Sequence, residues 1–150
     1  MSAAGRAAAV AVGTVAVDQA VKALVRSTID RGETVDLVLG VRLVNVRNRG
    51  IAFGLLAEGG VLLVLFAIAA LVALLVFFFR HRDRPLVWLP TGLLIGGATG
   101  NLIDRAREGA VTDFLDLPLW PAFNVADVAI TFGVLTLLYV LEARRGHGKR

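Results

Sequence analysis

Apolar and polar positions fall into long blocks along this chain. Four blocks are almost wholly apolar: about 7–25, 61–79, 86–104 and 124–142. Each approaches the roughly 20 residues that a bilayer-spanning helix needs. Val61 to Phe79 holds no charged residue and is the clearest span. The first block is interrupted by Asp18 and Lys22. With Arg6 ahead of it, that block has the outline of a signal peptide, but its length and internal charge pair favour a retained helix. In the third block Gly92, Gly96 and Gly100 recur every four residues, so they share one helix face. Small residues at that spacing let a second helix approach closely. Between the first two blocks, Val35, Leu37, Leu39, Val41 and Leu43 alternate with other residues, which suggests short strands. Gly32, Gly40, Gly50 and Gly54 are plausible turns. The pattern predicts an outer β segment at about 34–54, while Asp104 to Ala122 reads as a polar loop. The expectation is a single domain over 1–150, an all-α membrane protein. It has four transmembrane helices and a small extramembrane β-sheet between helices 1 and 2.

Composition agrees with the block pattern. The 150 residues are 57% hydrophobic and 19% charged, which is more apolar surface than a soluble domain of this size can hide. Cysteine is absent, so there is no disulfide framework and no thiol chemistry. The net charge of +4 could suit nucleic acid. The cations, however, sit in short flanks between apolar blocks, as topology signals do, and no basic patch is interleaved with stacking aromatics. Arg6, the Arg80/Arg82/Arg84 cluster and the basic tail at 144–150 fall on one side. The positive-inside rule makes that side cytoplasmic, with both termini there. Arg26, Arg31, Arg42, Arg47 and Arg49 oppose this orientation, and the acids among them offset it only in part.

The polar residues that break the blocks gather at one level. Asp18 lies about 10 Å below the outer end of the first helix, at 1.5 Å per residue, and shares a face with Lys22. Asn48 follows the strand segment, and Asn101 and Asp104 end the third helix. Asp113 and Asp116 sit in the outer loop. Asn124 and Asp127 open the fourth helix, and Thr131 continues their face. All converge on the outer leaflet, as an active site requires. A transporter would string them across the membrane, and a structural subunit would need the glycine face but not this cluster. Plainer roles exist for several of them. Asp18 with Lys22 can be an ion pair that locks helix 1, Asp104 can cap or pair with Arg105, and Asn124 can be an N-cap. Asp127 has no cation beside it on its own helix, and intramembrane carboxylates are functional candidates.

Elimination narrows the chemistry. Ser2 and Ser27 have no histidine nearby in sequence, and His81 and His147 stand among arginines. No zinc-binding set and no phosphate loop occur. A carboxylate pair remains. Two close carboxylates share one proton, because both cannot ionise side by side. The ionised member activates a water and the protonated one polarises the scissile carbonyl. Asp127 with one of Asp104, Asp113 or Asp116 would serve, and spacing alone does not choose among the three.

Five segments resemble motifs of the lipoprotein signal peptidase family (signal peptidase II). They are Asp18-Gln19-Ala20-Val21-Lys22, the run Asn48 to Gly54 (N-R-G-I-A-F-G), the run Gly96 to Arg105 (G-G-A-T-G-N-L-I-D-R), Val111-Thr112-Asp113-Phe114 and Phe123-Asn124-Val125-Ala126-Asp127. Each is weak alone, but all five occur in order. The resemblance implies a membrane-embedded aspartyl endopeptidase with Asp113 and Asp127 as its dyad. It implies that Asn48, Gly50, Asn101, Asp104, Arg105 and Asn124 position substrate or support the dyad, and that Asp18 and Lys22 hold helix 1. The substrate would be a bacterial prolipoprotein cut before a diacylglyceryl-modified cysteine, at the outer leaflet of the cytoplasmic membrane. No metal or other cofactor is expected, and the expected partners are that substrate and membrane lipid, with the enzyme acting as a monomer. The strand segment would rest on the outer leaflet.

Overall fold

The computed structural model describes residues 1–50 and 60–142. The end of the expected β segment, 51–54, and the basic tail with His147 lie outside the described residues. The helices are α1 (Ala3–Thr28), α2 (Gly60–His81), α3 (Trp88–Glu108) and α4 (Val125–Glu142). At its start, the Ser2 hydroxyl accepts from the Gly5 N–H at 3.1 Å. α1 outruns its apolar block at both ends. At the far end the polar Ser27 and Thr28 side chains turn back to donate to the Leu24 carbonyl. Asp18 therefore lies about 15 Å from the end of α1, deeper than the block boundary implies.

Among the described residues three stretches are long and apolar enough to cross a membrane: α1, Val64–His81 within α2, and α4. The third helix, α3, is not among them. It packs against α1, α2 and α4, and its buried residues are Pro90, Thr91, Gly92, Gly96, Gly97, Gly100, Asn101 and Asp104. These are small or polar because protein surrounds them. A Cβ at Gly92 would stand 2.7 Å from the Ala7 carbonyl oxygen, and one at Gly96 2.8 Å from that of Ala11. At Gly100 it would meet Asp18 Oδ2 at 2.6 Å. The glycine face thus seats α1 on α3 along several turns.

The sheet is not confined to the connection between the first two helices. Strands β1 (Thr34–Asp36), β2 (Arg42–Asn48), β3 (Val111–Leu117) and β4 (Trp120–Phe123) form one antiparallel sheet in that order. The segment read as a polar loop supplies half of it. Val111 to Phe114 are all buried, so β3 lacks the alternation of a half-exposed strand. Asp104 and Arg105 lie inside α3, which ends at Gly109. There a φ of 69° lets the N–H close on the Arg105 carbonyl at 3.0 Å. The β2–β3 register slips by one residue between Leu43 and Val46. This bulge buries Val44 and Asn45 in succession. The Asn45 amide donates to the Ile29 carbonyl at 2.8 Å, tying the sheet to the end of α1. Val25, Ile29 and Phe114 pack beneath, joined by Val21, Leu43, Leu115 and Val125. At the opposite end of the bundle, Ala7, Phe78 and Val87 form a second apolar cluster, and Arg6 lies over the Trp88 ring at 5.1 Å.

Candidate active site

The first turn of α4 is capped reciprocally. The Asn124 side-chain oxygen accepts from the Asp127 N–H at 3.0 Å, and Asp127 Oδ2 accepts from the Asn124 N–H at 3.2 Å. This is the capping-box arrangement. Asp18 of α1 adds a third cap, its Oδ1 accepting from the Ala126 N–H at 2.9 Å. A helix that starts inside apolar surroundings must satisfy these amides within the protein. The N-cap role and the site role of Asn124 therefore coexist, because its amide nitrogen remains free to donate elsewhere.

That nitrogen reaches Asp113 Oδ1 at 2.7 Å and Asn101 Oδ1 at 3.2 Å. Asn101 Nδ2 donates to Asp127 Oδ1 at 2.9 Å, and Asn48 Nδ2 donates to Asp113 Oδ2 at 2.9 Å. Gly50 closes the turn after β2, where a φ of 82° lets its N–H reach Asn48 Oδ1 at 2.7 Å. Asp113 and Asp127 thus share Asn124 as a partner. The other two candidates are engaged elsewhere: Asp116 pairs with Arg42, and Asp104 with Lys22 and Arg26. Asp113 is buried, whereas Asp127 is half-buried. Burial pushes the Asp113 carboxyl up to about 6, and the charge of Asp127 adds to the rise. The Asn48 and Asn124 hydrogen bonds and the Lys22 charge oppose it.

A wholly buried network lies behind this pair. Lys22 Nζ meets Asp18 Oδ2 at 2.9 Å, Asp104 Oδ2 at 3.2 Å and Asn101 Oδ1 at 2.9 Å. Asp104 does not pair with Arg105. Its Oδ2 accepts from the Thr112 N–H at 2.9 Å, which fixes the residue before Asp113 to α3. Among the described residues the Arg105 guanidinium reaches the Asn101 carbonyl of its own helix. Two supporting residues escape a reading based on charge alone. Gln19 Nε2 links Asp18, the Gly100 carbonyl and Asp104. Arg26 joins Thr112 to Asp104 and Glu108. The sequence signal for Gln19 is its place beside Asp18 in the first motif.

Two apolar grooves border the carboxylates. One, of about 390 Å³, runs between α2 and α3 and is lined by Ala67, Ala70, Leu71 and Ala98, with Asn101 and Arg105 at one end. The other, of about 290 Å³, is lined by Trp120, Phe123, Val128 and Phe132, with Asp127 in its wall. Among the described residues no cluster of His, Cys, Asp or Glu suited to a metal ion occurs.

Two carboxylates joined through one asparagine beside apolar helices suit an aspartic peptidase that works in a membrane. The family model for Signal peptidase (SPase) II matches residues 10–142. The lipoprotein signal peptidase of Halothermothrix orenii is 40% identical over 130 residues, covering 85% of this chain and 90% of that protein. That of Moorella thermoacetica is 42% identical over 137 residues, covering 90% and 91%. A solved structure described as a bacterial membrane enzyme, obtained by the in meso method at 1.9 Å resolution, superposes with a TM-score of 0.84. It is 31% identical and covers 91% of this chain and 92% of its own. The chain belongs to the signal peptidase II family of aspartic peptidases.

Proposed function

We propose that this enzyme removes signal peptides from diacylglyceryl-modified bacterial prolipoproteins, cutting before the lipidated cysteine, with Asp113 and Asp127 as its dyad. The observation that carries the reading is the shared Asn124, bonded to Asp113 and capped against Asp127. All four helices span the bacterial cytoplasmic membrane. α3 does so in the centre of the bundle, where protein rather than lipid meets its polar residues. The site opens at the outer leaflet and both termini are cytoplasmic. The enzyme needs no metal and acts as a monomer.

Asp113 carries the shared proton, since burial favours its neutral form. Substrate that covers the site removes more water and pushes in the same direction. The Asp113 proton hydrogen-bonds to the scissile carbonyl oxygen. Asp127 takes a proton from a water, whose oxygen attacks the carbonyl carbon. As the C–N bond breaks, Asp127 returns that proton to the leaving amine. Asn101 and Asn124 hold the carboxylates in register, and Arg105 stands at the groove mouth to meet substrate carbonyls. The two apolar grooves suit a substrate that carries both a signal helix and acyl chains.

The test is cleavage of a lipid-modified prolipoprotein by the purified chain in liposomes, read by mass spectrometry. Cleavage before the lipidated cysteine, undiminished by chelator, is expected. No cleavage, or a chelator loss restored by zinc, refutes the reading. A reporter fused after Arg150 should read cytoplasmic, and a periplasmic reading would reverse the orientation.

A further inference from the structure

Three amides turn their nitrogen toward the two carboxylates: Asn48, Asn101 and Asn124. The two ends of an amide have nearly the same shape but opposite hydrogen-bonding character. Something must therefore hold each one the right way round. For Asn48 it is the Gly50 N–H, and for Asn124 the Asp127 N–H. Both of these are backbone groups of the same local turn, fixed once that turn forms. Asn101 has no such local partner. It lies within α3, and its oxygen takes hydrogen bonds from Asn124 Nδ2 and from the ammonium of Lys22 on α1.

An ammonium has three donors and no acceptor. Lys22, with no exposed side-chain surface, directs them at Asp18, Asp104 and Asn101. Two carboxylates would be enough for a buried ion pair that only holds helices together. The third contact is to a neutral amide whose other end touches Asp127. If that amide turned over, its nitrogen would face the ammonium, donor against donor. Its oxygen would then face the Asp127 carboxylate, acceptor against acceptor. We propose that Lys22 is a positioning residue for the reaction: it fixes the orientation of the Asn101 amide, and through it the Asp127 carboxylate beside Asp113.

The groups facing Asp113 are Asn48 from β2, Asn124 and Asp127 at the start of α4, and Lys22 from α1. The Lys22 charge favours the ionised form of Asp113, so its loss moves the alkaline limb of the pH profile upward. That charge acts on Asp113 directly, whereas a merely structural ion pair would lower thermal stability and leave kcat per folded molecule alone.

The proposal rests on the peptidase reading and is tested by a double-mutant cycle on the full chain, with a lipid-modified prolipoprotein as probe. Lys22→Met is expected to lower kcat about 10- to 100-fold, the range typical of partners that orient a reactive ligand. KM should change little, and the alkaline limb of kcat/KM should move upward. In an Asn101→Ala background the same substitution should cost little more, since the route through Asn101 is already cut. Effects on kcat that multiply, or an unchanged kcat in Lys22→Met, overturn the proposal. Lys22→Met leaves two buried carboxylates without their cation and can fail to fold. The cycle is then run in an Asp18→Asn background, which removes one of those carboxylate charges yet keeps a carbonyl to accept from the Ala126 N–H, and the same two outcomes decide it. No cleavage by the unsubstituted chain would refute the peptidase reading instead.

Discussion

The two ends of the helical bundle are held by opposite means. Away from the sheet, Ala7, Phe78 and Val87 pack as an apolar cluster, and the nearby charged contact is Arg6 over Trp88. Beneath the sheet the Val25, Ile29 and Phe114 cluster is joined by a buried polar set that includes Asp18, Lys22, Asn101, Asp104, Thr112, Asp113 and Asn124. No buried side-chain polar atom among the described residues lacks a partner. The apolar end relies on shape, with the buried Thr91 hydroxyl satisfied by the Val87 carbonyl at 2.8 Å. The polar end needs every donor matched to an acceptor, because an unpaired buried charge costs far more than a missing methyl group. An apolar filling would hold the helices at least as well. The polar filling lies at the end that carries the proposed dyad.

Substitutions should separate the two ends, and the largest effect falls on the dyad. Asp113→Asn and Asp127→Asn should each abolish prolipoprotein cleavage, a loss beyond about 10³-fold, while circular dichroism reports an intact helical fold. Full activity in either one would break the comparison.

Next come Asp104→Ala and Phe78→Ala, each expected to destabilise by about 3–5 kcal/mol, the first by unpairing a buried charge and the second by opening a cavity. The two stability losses are alike, but the activities should differ. Asp104→Ala also frees the strand that carries Asp113, so kcat per folded molecule should fall. Phe78→Ala should leave it unchanged.

A smaller effect sharpens the polar end. The folded protein holds the Asp113 proton more tightly than the unfolded chain does. This contribution to stability is complete below the ordinary carboxylate range and is lost as pH rises through about 6. In the empty enzyme kcat/KM should decline over the same alkaline interval as the dyad loses its proton. Asn48→Ala removes a bond that favours the ionised form, so the decline should move to higher pH. A shift to lower pH would reverse the role given to Asn48. Smallest of all, Arg6→Ala should cost about 0.5–1 kcal/mol in melting experiments, with no change in kcat.

Much of this division is legible in the sequence. The apolar blocks locate all four helices, because a long apolar run has the length of a helix packed against others. The glycine spacing marks the face of α3 that a second helix approaches, but not that the helix is α1. The strands β3 and β4 are not legible, since β3 is buried on both faces and its aspartates imitate a loop. Gly109 and Pro118, which bracket it, are the punctuation that could have marked it. For the site, Asp127 stands out as a carboxylate inside an apolar block. Its relation to Asp113 does not, because it depends on a sheet register and on which way three amides face. Those are tertiary facts with no period along the chain.

The spacing of Asp18 and Lys22 also bears on how such a chain enters a bilayer. At the centre of a spanning helix, Asp and Lys each oppose insertion by about 2.5–3.5 kcal/mol. Four residues apart, they close a 2.9 Å bridge within α1 itself. The first helix can therefore cross as a locally neutral segment before α3 and α4 have been synthesised. The wider network, with Asn101, Asp104 and the Ala126 N–H, draws only on later segments of the chain.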